Sequence, residues 1–147
     1  MGYRRVFIIR KDLSLSSGKL AAMVAHCAEA YWTKMIREHT FNNNAGLGDD
    51  ALVHMTIEKD IYGKYINSSF VKTICQARNK NHLLKAKTIA TKLGLVEGVD
   101  FGEINDCCLT ELTAENEDGT TLVGIWFKPL PDEVAHKISK KYHLYMD

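Results

Sequence analysis

Two short stretches of this 147-residue chain hold the residue types that transfer chemistry uses. The first is Gly18-Lys19. If a helix opens there, the Lys adds its charge to backbone N–H groups that have no partner inside the helix, and that corner favours an anion. His26 follows seven residues later, nearly two full turns, so a helix would put it on the face that carries Lys19. The second stretch is Asp106-Cys107-Cys108-Leu109-Thr110. In it Asp106 could orient a water molecule and Thr110 could hold water or substrate by hydrogen bond. Lys19 could stabilise negative charge developing on a carbonyl or phosphate oxygen. Each residue also has a plainer reading: a lone Asp in a loop caps local N–H groups, and a His in an Ala-rich helix is commonly a packed, hydrogen-bonded side chain. Cys107 and Cys108 with His26 raise a thiol nucleophile, although free Cys is commonly a small buried hydrophobe.

Several chemistries lose their usual support. Gly18-Lys19 is not a phosphate-binding loop, because that pattern needs Gly where Leu13 stands and Ser or Thr where Leu20 stands. No nucleophile elbow, zinc-protease helix or dinucleotide-binding turn occurs, and Cys27, Cys75, Cys107 and Cys108 form no C-x-x-C pair. Reduced thiols, no metal and no cofactor are therefore expected. The apolar run Leu20–Ala25 is far shorter than the 18 or so residues that cross a bilayer, and the N-terminus lacks the core of a signal peptide. We expect a cytoplasmic protein with no membrane span.

Charge is unevenly spread. Residues 1–48 carry seven Lys/Arg against three Asp/Glu, residues 49–93 eight against four, and residues 94–147 four against eleven. The basic first two-thirds could face a polyanion, or its lysines could simply be solvated helix faces.

The elements that must position these residues follow from periodicity and punctuation. Residues 3–9 are aromatic and β-branched and predict a central strand. Ser16 or Ser17 can cap a helix from Lys19 to about Glu38, with Leu20, Val24, Cys27, Tyr31 and Met35 on its apolar stripe. A loop at 42–48, a strand at 52–57 and helical pattern from 63 to 93, broken near Asn79-Lys80-Asn81 and stopped by Gly94, come next. Strands at 101–104 and 121–127 flank a turn at 116–119, and a helix runs from Pro131 to about Lys141. The alternation implies one α/β layered domain over 1–147 with a largely parallel sheet. If the first and third strands run parallel, Asp106 and the start of the first helix share one sheet edge, the usual place for a ligand crevice.

Arg10-Lys11-Asp12-Leu13-Ser14-Leu15-Ser16-Ser17-Gly18-Lys19-Leu20-Ala21-Ala22, with His26 beyond, resembles the opening signature R-x-D-L-x-M-x-x-G-K-[IL]-A-A-x-x-x-H of peptidyl-tRNA hydrolases of the second type. The later motif, an Asp four residues before a Thr and then P-G-[TS], is echoed in Asp106, Thr110 and Gly119-Thr120-Thr121. The resemblance implies a three-layer α/β/α sandwich on a four-stranded, mixed and mostly parallel sheet, usually dimeric. It implies hydrolysis of the ester joining a peptide to the terminal ribose of tRNA, with peptidyl-tRNA as the partner. Lys19, Asp106, Thr110 and one of Thr120 and Thr121 would be catalytic. Substrate would be held by His26, Arg10, Lys11, Lys64 and Lys72, the last two in a helical insertion at about 59–80 that also carries Lys59, Arg78 and Lys80. Where the family reads D-A-G-R-T-Q, this chain reads Asp106-Cys107-Cys108-Leu109-Thr110-Glu111. A member that binds RNA or a protein without catalysis is the alternative.

Overall fold

The computed structural model describes residues 2–41 and 48–146. The loop expected at 42–48 lies outside the described residues up to Leu47.

The first strand, β1 (Tyr3–Arg10), runs through the centre of the molecule with Val6, Phe7, Ile8 and Ile9 wholly buried. A strand apolar on both faces needs a layer on each, and it has them. On one face lies α1 (Ser17–Glu38), which buries Met23, Cys27 and Tyr31 at helical spacing against Phe7, Ile9, Val123 and Trp126. Its N-cap is Ser16, whose hydroxyl accepts from the Lys19 N–H at 3.3 Å. On the other face α2 (Lys80–Lys92) and α3 (Asp132–Ser139) set Leu83, Ala86, Ala90, Ala135 and Ile138 against Val6, Ile8 and Phe127. Gly94, at φ 85°, ends α2 as its position in the sequence suggested. The result is the expected α/β/α sandwich.

The remaining strands are the two-residue pair β2 (Thr40–Phe41) and β3 (Leu52–Val53), then β4 (Val71–Ala77), β5 (Phe101–Asp106), β6 (Thr121–Phe127), β7 (Leu130–Pro131) and β8 (His143–Leu144). The main sheet has six strands, not four: its order is β5-β6-β1-β4-β8, with β7 on β1. It is mixed, but only β1 and β4 pair in parallel; the other ladders are antiparallel. The difference arises because β7 and β8 are two-residue strands with no periodicity to read, and because β4 was hidden.

β4 is the main correction. Residues 71–77 form a strand beside β1, with Arg4 opposite Val71 and Arg10 opposite Ala77, where helix was expected. The stretch 59–80 is thus helical only in its first half, a π-helix at Ile61–Ser69 that ends when the Phe70 N–H bonds to the Tyr65 carbonyl at 3.1 Å. No Gly or Pro separates it from β4, and the strand takes its stability from the ladder with β1.

Two close approaches tighten the β1-β6-β5 half. A Cβ on Gly124 would lie 2.8 Å from the Ile8 carbonyl oxygen, and one on Gly102 would lie 2.7 Å from the Trp126 ring nitrogen. The β5–β6 register shifts between Ile104 and Asn105, with Val123 as the extra residue on β6, two residues from Asp106.

Candidate active site

β5 and β1 are each antiparallel to β6, so they run in the same direction. The C-terminal ends of β1, β4 and β5 and the start of α1 therefore meet at one edge of the sheet. Asp106 is the last residue of β5, and Lys19 lies in the first turn of α1. They join there: the Lys19 Nζ donates to Asp106 Oδ1 at 2.7 Å, with the two side chains 16% and 6% exposed. The second carboxylate oxygen accepts the Cys108 N–H at 2.9 Å. Cys108 reaches that position with φ at 60°, the left-handed region that glycine enters freely and cysteine does not.

This wiring sets the protonation states. Burial works to raise the Asp106 carboxyl, but the Lys19 hydrogen bond, the Cys108 N–H and the Lys19 charge outweigh it and hold the group below the usual carboxylate range. The hydrogen bond to Asp106 in turn raises Lys19. At neutral pH the site is a carboxylate against an ammonium. Lys19 has three N–H donors, of which Asp106 takes one, and Asp106 keeps lone pairs for a water molecule.

The loop that follows β5 is tied down at several points. Glu111 accepts from both the Ser16 N–H (2.9 Å) and the Ser16 hydroxyl (2.6 Å), fastening the loop to the cap of α1. Thr121, fully buried, donates through its hydroxyl to the Thr113 carbonyl at 2.7 Å and accepts from the Glu115 N–H at 2.9 Å. The Thr120 hydroxyl donates to Asp118 at 2.6 Å and accepts from the Asn116 amide at 3.0 Å. Both threonines hold the loop from within. Thr110 is exposed on that loop beside Glu111.

Arg10 is 3% exposed and grips two loops at once. Its guanidinium donates to both carboxylate oxygens of Asp12 (3.1 and 2.8 Å), to Glu115 (2.5 and 3.2 Å) and to the Leu122 carbonyl at 3.0 Å. Those bonds bind the segment leading into α1 to the loop after β5, so Arg10 frames the pair from behind. Lys11 donates to the Met146 carbonyl and lies 4.5 Å from the centre of the Tyr145 ring. His26 is exposed on α1, close enough for its charge to favour the Asp106 carboxylate.

Lys64 and Lys72 are elsewhere. They precede or open β4, beside Tyr3 at the start of β1, and so belong to the opposite edge of the sheet. β1 has eight residues, which sets the two edges about 23 Å apart. Lys64 faces Asp60 at 3.7 Å, and Lys72 lies 3.3 Å from the centre of the Phe70 ring.

Sequence reasoning missed Arg5. It is fully buried between β1 and α1, donating to the Phe127, Ala28 and Cys27 carbonyls at 3.0, 2.7 and 3.2 Å. A charge inside a strand apolar on both faces was the available signal, since such a group must find partners. The partners of Glu111 and Glu115 carried no signal, because they lie about 95 and 105 residues away. Among the described residues no three His, Cys, Asp or Glu side chains are grouped closely enough to hold a metal ion. No helix among them is long and apolar enough to cross a membrane.

Fold and site together define an α/β/α protein on a mixed sheet, with a Lys–carboxylate pair at its strand ends next to a helix N-terminus. The sequence profile described as Peptidyl-tRNA hydrolase PTH2 matches residues 3–145, and the chain belongs to that family of hydrolases acting on peptidyl-tRNA. It is 27% identical over 137 residues to a peptidyl-tRNA hydrolase of Thermococcus onnurineus, covering 93% of this chain and 92% of that protein. Similarity to the peptidyl-tRNA hydrolase of Thermococcus sibiricus is 28% over the same shares. That of Thermoplasma acidophilum is 25% identical over 142 residues, 96% of this chain and 97% of the relative. A solved structure of a protein of unknown function from Agrobacterium tumefaciens shares the fold, with a TM-score of 0.54 over 99% of both chains at 11% identity.

Proposed function

We propose that this chain hydrolyses the ester between a peptide, or an N-blocked amino acid, and tRNA, and that the Lys19–Asp106 pair performs the step. The observation that carries this reading is the 2.7 Å contact between a carboxylate held anionic and an ammonium with free donors, set at the strand ends. Asp106 orients the attacking water. The water oxygen bonds to the ester carbonyl carbon, Lys19 stabilises the oxyanion of the tetrahedral intermediate, and the bond to ribose breaks as the ribose oxygen takes up the proton that the water gives up. An activated ester asks for a placed water and charge stabilisation more than for a covalent nucleophile. Thr110, exposed on the loop that Glu111 fastens to α1, is assigned the hydrogen bond to water or substrate, and His26 lies along the same helix for the substrate's end. Arg10, Thr120 and Thr121 keep the loop in place as positioning residues.

We further propose a cytoplasmic homodimer. The support for a second copy is an apolar groove of about 520 Å³ along α1, lined by Leu20, Ala21, Val24, Ala25, Ile74 and Tyr145. Sedimentation of the wild type beside Ala25→Glu tests it.

The test of function is release of labelled N-acetyl-aminoacyl ester from tRNA by the wild type, Lys19→Ala and Asp106→Asn. Turnover by the wild type and its loss in both folded variants is expected. Binding of tRNA with the ester left intact by the wild type would replace the hydrolase with a binding protein.

A further inference from the structure

Beyond β4, the same sheet edge continues onto the α2–α3 layer, and the surface there gathers cations. A groove of about 420 Å³ is lined by Arg78, Lys85 and Lys141 with His82, Tyr142 and the Thr88 side of α2, and no carboxylate lines it. Arg10, Lys19, Lys34, Lys64, Lys87 and Lys128 each face an acid within 4 Å. Among the described residues Arg78, Lys85 and Lys141 form no such pair, and all three are exposed.

The floor of the groove is fixed. His82 Nδ1 accepts the Arg78 N–H at 2.9 Å, its Nε2 lies 3.3 Å from the Lys141 carbonyl, and its ring stacks on Tyr142 with centres 4.5 Å apart. Burial, and then the charges of Arg78, Lys85 and His143, lower the His82 imidazolium, so at neutral pH the ring is a neutral spacer that orders the cations around it. A fixed floor below three exposed, unmatched cations suits a ligand carrying several anionic groups in a row.

Its position relates it to the ester site. Lys11 follows β1 and donates its N–H to the Ala77 carbonyl at 2.7 Å, and Arg78 is the next residue of the β4 strand end. From β5 across β6 and β1 to β4 is three strand spacings, about 14 Å. A polyanion whose end lies on Lys19 and Asp106 has only to cross that edge to reach Arg78.

We infer that the Arg78–Lys85–Lys141 groove binds backbone phosphates of the RNA body of the substrate, apart from the site that cleaves its ester. The inference rests on the reading of the substrate as a tRNA ester. It assigns affinity to one face of the molecule and chemistry to another.

The experiment compares wild type, the triple variant Arg78→Gln/Lys85→Gln/Lys141→Gln, and Lys92→Gln at the far end of α2. Binding of deacylated tRNA is measured across a salt series, and hydrolysis is measured on N-acetyl-aminoacyl-tRNA and on the matching ester of adenosine, which lacks the RNA body. The expected result is a log affinity against log salt slope shallower by about 2–3 in the triple variant, on the scale of nearly one unit per phosphate contact. kcat/KM should fall on the tRNA ester alone, with the adenosine ester and Lys92→Gln unaffected. An unchanged salt slope in the triple variant, or a wild type that does not bind tRNA, overturns the inference, and capture of a protein instead of RNA by this face does the same. Intact esters in every sample with salt-dependent tRNA binding lost in the triple variant would sink the hydrolase reading and leave the groove standing.

Discussion

At one end of the sheet Lys19 donates to Asp106 at 2.7 Å; at the other Lys72 lies 3.3 Å above the Phe70 ring and donates to the Phe70 carbonyl. Both are lysines next to a strand or helix end, and composition does not distinguish them. Their surroundings do. The first meets a carboxylate that the Cys108 N–H also holds in place. The second spends its charge on aromatic faces, Phe70 and Tyr65, and burial lowers its ammonium. What separates the two lysines is position: one stands where parallel strand ends converge, the other at the opposite ends of those strands.

The largest expected effect tests that contrast directly. Lys19→Ala and Asp106→Asn should each lower kcat by about 10²–10³-fold, the size of losing one oriented charge or donor at a developing oxyanion. Lys64→Ala and Lys72→Ala should leave kcat within about twofold, as surface changes remote from the reacting atoms do, with any effect confined to KM. Single-turnover release of the labelled ester separates the two quantities. A kcat loss in either of the remote variants would break the comparison.

Next in size is Arg10, the brace behind the site. Arg10→Met removes a buried guanidinium from Asp12, Glu115 and the Leu122 carbonyl, and leaves two partly exposed carboxylates facing each other. Urea denaturation should show a loss of about 3 kcal/mol, at the lower end of the range for breaking buried ion pairs because Asp12 and Glu115 can still reach water. Its counterpart at the other edge, Lys64 with Asp60 at 3.7 Å, is an exposed pair and should change stability by less than about 0.5 kcal/mol on Lys64→Ala.

How far this arrangement was legible depends on whether a residue's partners are local. The strand β1, the helix α1 with its Ser16 cap, and β6 were readable because period and capping chemistry are properties of neighbouring residues. The Lys19–Asp106 convergence was readable as a conditional, and the parallel sense of β1 and β5 satisfied the condition. β4 was not, since Val71–Ala77 joins a π-helix without punctuation and is specified by its ladder with β1. The engagement of Arg10 was not either: Glu115 lies 105 residues away and nothing in its neighbourhood marks it. Likewise Lys64 and Lys72, basic residues in a basic third, gave no sign of which edge they would occupy.

A smaller effect should appear in the pH dependence. The Asp106 carboxyl is held below its ordinary value of 3.8 in the folded protein, so its contribution to stability is fully present above that value and is lost as pH falls through the folded pKa. Lys19 is raised above 10.5, so its contribution is fully present below that value and is lost as pH rises through the folded one. The pair should therefore give a flat activity plateau across neutral pH, with Asp106→Asn flattening the acid limb of the wild-type stability curve. A wild-type acid limb identical to that of Asp106→Asn would show that the carboxylate is not held by Lys19.

The smallest predicted change compares two strained residues, one at each edge. Cys108 at φ 60° and Phe70 at φ 55° both occupy the left-handed region without being glycine. That conformation costs a side-chain-bearing residue about 1–2 kcal/mol, part of which a glycine gives back by losing more entropy on folding. At Cys108 the backbone is what matters, because its N–H holds Asp106 while its thiol makes only a 3.4 Å contact with the Asp106 carbonyl. Cys108→Gly should thus stabilise the fold by about 0.5–1 kcal/mol in urea titration and leave kcat unchanged. At Phe70 the ring itself is in use, packed 5.3 Å from the Tyr65 ring and beneath the Lys72 ammonium. Phe70→Gly relieves the same strain and removes those contacts, so the same titration should show no gain. Equal gains at both positions would mean that the aromatic contacts at the far edge contribute nothing, and that strain alone distinguishes the two ends of the sheet.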